Sequence, residues 1–111
     1  MAPLVEFLFW AGCPSHERAL ADLRAAMRST GLDPDAVVVT EVLTEADAAR
    51  TGFTGSPTIL VDGRDVAGAS GEPVALACRV YHRRDGRVSA LPDPDDVRDA
   101  LRGTAQAEAA R

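Results

Sequence analysis

A chain of 111 residues holds one hydrophobic core and is too short for two ordinary domains; its 46% hydrophobic content builds that core without disulfide staples. Twelve Lys and Arg against 17 Asp and Glu leave a dispersed net charge of -5, which argues against nucleic acid as a partner, as does an aromatic content of 5%. No apolar run approaches the roughly 20 residues that span a bilayer, so no membrane role is expected. The opening MAPLVEFLFWAGC lacks a basic segment and reads as a strand, not a signal peptide. The expected location is therefore cytoplasmic, where cysteines stay reduced, and two cysteines there point to chemistry or packing.

Residues 3–10, PLVEFLFW, form a mostly apolar run of strand length, suited to a strand buried on both faces. Pro14 fits the first helical position, where its missing N–H costs nothing, which puts Cys13 at or near the N-cap. From there SHERALADLRAAMRSTG predicts a helix with Leu20, Leu23 and Met27 on one stripe and Gly31 as its stop. Followed backwards, the stripe reaches His16 and then Cys13. Residues 36–43, AVVVTEVL, predict a second strand. Thr44 followed by Asp47 predicts a capped short helix that Gly52 ends. SPTILVDGRDV predicts a third strand at 58–62, a turn at Asp62-Gly63 and a short fourth strand around Val66.

Residues 68–73 read as a loop, and 74–91 read equally as a hairpin around Asp85-Gly86 or as a helix-to-strand passage. A last helix is predicted over 94–102, with Asp93 as cap, Pro94 at its first position and Gly103 as stop. That leaves 104–111 as a frayed tail. The order β-α-β-α-β-β-α predicts a single α/β domain over 1–103. The two crossovers predict parallel strands and the Asp-Gly turn an antiparallel pair.

The chemistry centres on Cys13. A helix N-terminus offers unpaired N–H groups and the positive end of a dipole, both of which stabilise a thiolate. His16, one turn along, would add positive charge or accept the thiol proton. The plainer alternatives are a filler cysteine and a histidine satisfied by a backbone carbonyl. Ser56-Pro57 has the plain reading of a turn. Cys78 reads either as an ordinary buried thiol or as a distal resolving thiol. His82 is expected on an exposed basic hairpin, and Cys13 with His16 has no matching second half for zinc, so no metal is expected.

With GCPSH at the first strand-to-helix junction and GSPT before the third strand, this order resembles the thioredoxin-like superfamily over residues 3–67 and 93–103. Residues 68–92 would then be an insertion before the last helix. GCPSH is more similar to the glutaredoxin-type Gly-Cys-Pro-x-Cys than to the thioredoxin Trp-Cys-Gly-Pro-Cys. The resemblance implies a central mixed four-stranded sheet, a cis bond before Pro57, and a backbone there that pairs with an incoming peptide or thiol. Trp10, Pro14, Ser56, Pro57 and Thr58 are then the substrate contacts.

The implied activity is thiol–disulfide exchange by a monothiol route. Cys13 attacks a disulfide or glutathione adduct, His16 tunes the thiolate, and a thiol from solvent, a partner or Cys78 resolves the product. No cofactor is implied beyond glutathione as a co-substrate. The implied partner is a protein or low-molecular-weight thiol or disulfide, and the chain a monomer or weak dimer. Two departures stand out. His16 replaces the resolving cysteine of the motif, and Phe7 stands where thioredoxins bury an acid. The chain is also similar to small bacterial proteins of the thioredoxin and mercury-lyase kinds, which implies thiol chemistry. Two other functions remain open: thiolate capture of a soft metal or organomercurial by Cys13 and Cys78, and a redox-inactive interaction module.

Overall fold

Both faces of one strand organise the molecule. In the computed structural model, which describes residues 2–68 and 74–109 (side chains as far as 103), the elements are β1 (Val5–Phe9), α1 (His16–Ser29), β2 (Val38–Glu41), α2 (Glu45–Thr51) and β3 (Thr58–Val61). They continue with β4 (Arg64–Asp65), β5 (Tyr81–His82), β6 (Val88–Ser89) and α3 (Pro94–Ala109). Phe7 and Leu8 of β1 are both buried, and since successive strand side chains point to opposite faces, each seeds its own core. Val5 and Phe7 join Ala19, Leu23 and Met27 of α1, Ile59 and Val61 of β3, and Val97 and Leu101 of α3. Leu8 joins Val42, Ala48 and Phe53, with Trp10, Leu60 and Leu76 packed around them. The expected two-sided burial of the first apolar run therefore holds. Burying a side chain of the size of Phe7 or Leu23 contributes about 1.5–3 kcal/mol.

The four-stranded mixed sheet has the order β2-β1-β3-β4. β1 runs parallel to β2, with Phe7 opposite Val39, and antiparallel to β3, with Phe7 opposite Ile59. Parallel strands from both crossovers are thus corrected at the second one. After α2 the chain re-enters the sheet at the end at which β2 left it, and β3 lies on the other side of β1 from β2. The helix itself is as expected: the Thr44 hydroxyl accepts from Asp47 N–H, and Gly52 closes it at φ 72°. The Asp62-Gly63 turn also holds, both residues having the positive φ that a tight two-residue hairpin demands (51° and 79°). β4 lies just before Val66, and β2 is shorter than expected because Pro34–Ala36 form a 3-10 turn.

Of the two readings of 74–91, the hairpin is observed: β5 pairs with β6, Tyr81 opposite Ser89. The predicted loop lies outside the described residues except for Gly68. Asp93 caps α3 by accepting from Asp95 N–H and also accepts Arg84 N–H, which ties the hairpin to the helix. Gly103 does not stop α3, which runs on to Ala109, where a frayed tail is expected. A glycine stop needs positive φ, as at Gly31 (82°), and Gly103 is not among the positive-φ glycines; the alanine-rich segment after it favours helix. No helix among the described residues is long and apolar enough to cross a membrane.

Candidate functional site

β1 delivers the chain into a tight turn in which Cys13 N–H donates to Trp10 O at 3.0 Å. The first helical hydrogen bond of α1 runs from Ala19 N–H to Ser15 O, so Ser15 is the residue before the helix. This corrects the expected helix start: Pro14 is exposed and precedes the helix, and Cys13 sits two residues outside the cap. A helix capped at Cys13 would open with a bond to the Cys13 carbonyl, but that carbonyl accepts the His16 ring N–H, and the ladder begins at Ser15 O. Gly12 lets the Trp10 ring lie over the turn, since a Cβ there would fall 2.4 Å from that ring and displace it.

The Cys13 side chain is buried, at 1% exposure. Its sulfur lies 3.3 Å from Ser15 Oγ and 3.7 Å from Ser56 O, to which the protonated thiol donates. Cys78, free like Cys13 but exposed, lies beside it: its backbone bridges to Ser56, whose carbonyl accepts the Cys13 thiol, and its thiol is near enough to act on the Cys13 sulfur. Burial pushes the Cys13 thiol up, but hydrogen bonds from the Cys78 thiol, the Ser15 hydroxyl and the Ser15 N–H outweigh burial and hold it below the ordinary cysteine value. Cys78 moves the other way: its hydrogen bond to Cys13, then burial and the Cys13 charge, push it up. One thiolate shared by two sulfurs explains both directions.

His16 faces a different atom. Its Nδ1–H donates to the Cys13 carbonyl at 2.7 Å, and its ring stacks on Phe9 at 4.6 Å and 15°. That is the satisfied histidine of the plainer reading, and the groups acting on the thiol are Ser15 and Cys78 instead.

The Ser56-Pro57 bond is cis, and Ser56, Pro57 and Thr58 are buried, Ser56 against Cys13 and Trp10. Ser56 Oγ accepts Trp10 N–H at 3.0 Å, and the Thr58 hydroxyl donates to Gly55 O at 2.6 Å. The backbone of Ser56, expected to hold a partner chain, is engaged by the protein's own segment 77–79. Ser56 N–H donates to Ala77 O at 2.8 Å, and Arg79 N–H donates to Ser56 O at 2.9 Å. Cys78, between them, forms a parallel bridge with Ser56. This strap is pinned from beneath. Arg79, 6% exposed, pairs with Asp65 and stacks 4.5 Å over Tyr81, whose hydroxyl donates to Pro57 O.

Ser15, Gly55, Asp65, Arg79 and Tyr81 went unnoticed in the sequence. Ser15 lies inside the quoted GCPSH, where a hydroxyl two residues after a cysteine was available as a signal. The other four carry no local signature, because their contacts span the chain. His82 is exposed on β5, as expected. No group of three or more His, Cys, Asp or Glu side chains converges among the described residues.

No family model, curated protein or solved structure matches the chain. The functional reading therefore rests on the site alone.

Proposed function

We propose that the protein is a thioredoxin-like thiol–disulfide oxidoreductase whose working pair is Cys13 and Cys78. The placing of Cys78 beside Cys13, both held on Ser56, carries this reading, since it offers the motif the second thiol that His16 denies it. The mixed sheet, with Cys13 leaving β1 and the Ser56–Thr58 segment entering β3 beside it, supports the same assignment. An external disulfide RSSR accepts two electrons from the pair; the Cys13–Cys78 bond forms, and two RSH leave with the two protons. Ser15 stabilises the Cys13 anion, and the strap keeps the two sulfurs in register.

A second reading rests on the same convergence. Two adjacent thiolates form a two-coordinate site for a soft ion or organomercurial. Oxidation of the reduced protein by glutathione disulfide, followed by digestion and mass mapping, separates the two. A Cys13–Cys78 crosslink within the monomer supports the oxidoreductase. Two thiols that resist glutathione disulfide yet bind one equivalent of mercurial with loss of both free-thiol signals favour the binding protein.

A further inference from the structure

We propose that Cys78, and not Cys13, is the sulfur that bonds to the external thiol during exchange, with Cys13 acting as the buried leaving and resolving group. The inference rests on the oxidoreductase reading and reverses the order of attack that the position of Cys13 in its motif suggests. A thiolate must reach the sulfur it attacks, and access governs that step. Cys13 is 1% exposed, whereas Cys78 is exposed, flanked on the strap by the outward-facing Val80 at 57% exposure.

The cover over Cys13 is held on both sides of Cys78. Ala77 and Arg79 are hydrogen-bonded to Ser56, Leu76 packs into the second core, and Arg79 is buried on Asp65 and Tyr81. Gly55 lies so close to Arg79 that a Cβ there would meet Arg79 Cβ at 2.8 Å. Uncovering Cys13 breaks these contacts together, and attack at Cys78 breaks none.

The chemistry agrees with the geometry. In the oxidised chain an incoming RS⁻ attacks Cys78 Sγ and forms the RS–S(Cys78) bond. The Cys13–Cys78 bond breaks, and its electron pair leaves on Cys13. A leaving thiol departs faster when its anion is more stable, and Cys13 is the sulfur that Ser15 stabilises through its hydroxyl and N–H. The mixed disulfide then has two exits. A second RS⁻ attacks the outer sulfur, releasing RSSR and a Cys78 thiolate that takes a proton from water. Alternatively, the Cys13 thiolate attacks Cys78 Sγ, expels RS⁻ and restores the internal bond.

The test traps the intermediate with glutathione as the probe. Reduced Cys13→Ser and Cys78→Ser variants of the full chain are exposed to glutathione disulfide, quenched in acid at early times and mapped by mass. Since thiol reactions follow access as well as thiolate fraction, Cys78 in Cys13→Ser is expected to be labelled at least about tenfold faster than Cys13 in Cys78→Ser. In case the core substitution at Cys13 unfolds the chain, the unsubstituted oxidised protein is also treated with limiting glutathione and acid-quenched, and the mixed disulfide is expected on Cys78. Label appearing first on Cys13 overturns the inference and leaves the oxidoreductase reading standing. Absence of any internal disulfide and of any mixed disulfide overturns both.

Discussion

Gly55→Ala tests whether the strap is a fixed part of the site. At Gly55 φ is 139°, a conformation that side chains rarely adopt, and the added Cβ would lie 2.8 Å from Arg79 Cβ, 3.0 Å from its Cα and 3.1 Å from its N. Two of those three atoms are backbone, so a rotamer change cannot relieve the overlap. The conformation costs about 1–3 kcal/mol, and overpacking of this kind about 1–3 kcal/mol more, giving a loss of about 2–6 kcal/mol. Gly63→Ala is the control. It also has positive φ (79°), but nothing lies within 4 Å of its Cβ, so only about 1–2 kcal/mol is expected. Urea denaturation followed by fluorescence of the single tryptophan, Trp10, measures both variants, and Leu76 of the strap packs in the same cluster as that ring. If the strap shifts to make room, part of the stability returns, but the Cys13–Cys78 crosslink yield falls under fixed oxidation. A Gly55→Ala protein no less stable than Gly63→Ala, with crosslinking unchanged, refutes the close packing of strap and loop.

His16→Ala should destabilise the fold, by removing the bond to the Cys13 carbonyl and the stack on Phe9, while the ultraviolet thiolate titration of Cys13 stays unmoved. Tyr81→Phe leaves the buried Pro57 carbonyl without its donor and should cost about 1–3 kcal/mol in denaturant. Because Tyr81 is the only tyrosine, alkaline absorbance should show it ionising well above the free value of about 10, held there by burial. The thiols predict a two-armed pH profile. Cys13 is depressed, so its stabilising contribution is lost as pH falls through its folded pKa and is fully present above the unfolded value of about 8.5. Cys78 is raised, so stability falls as pH rises from that value through its folded pKa. Below about pH 10, where the raised Tyr81 does not yet contribute, Cys78→Ser should abolish the falling arm, as denaturation at a series of pH values would show.

Local chemistry was legible in the chain. The PLVEFLFW run announced a strand buried on both sides, Thr44 with Asp47 a capped helix, and Asp62-Gly63 a hairpin, because each rests on residues within a few positions of one another. The start of α1 departs from its local pattern for a reason equally local. Pro14 at a first helical position satisfies the rule for proline, but the Cys13 carbonyl that would open such a helix accepts the His16 side chain, and the ladder starts at Ser15. Gly103 failed as a stop because glycine permits positive φ without imposing it.

Residue order alone is enough to specify a single-core α/β chain with a cysteine at a strand-to-helix junction and a Ser-Pro-Thr segment opening a later strand. What that cysteine meets depends on the packing of distant segments. Cys13 and Cys78 are 65 positions apart, and their approach depends on the strap pairing with Ser56, which in turn needs Gly55 to lack a side chain and Arg79 to find Asp65 and Tyr81. The direction of β3 is likewise set by its pairing with β1, which lies some fifty positions earlier in the chain. Hydrophobic pattern and turn chemistry act over a few residues and can be read from order alone. The partner of a thiol is set by packing between segments distant in the chain, and that exists only once the sheet has brought them together.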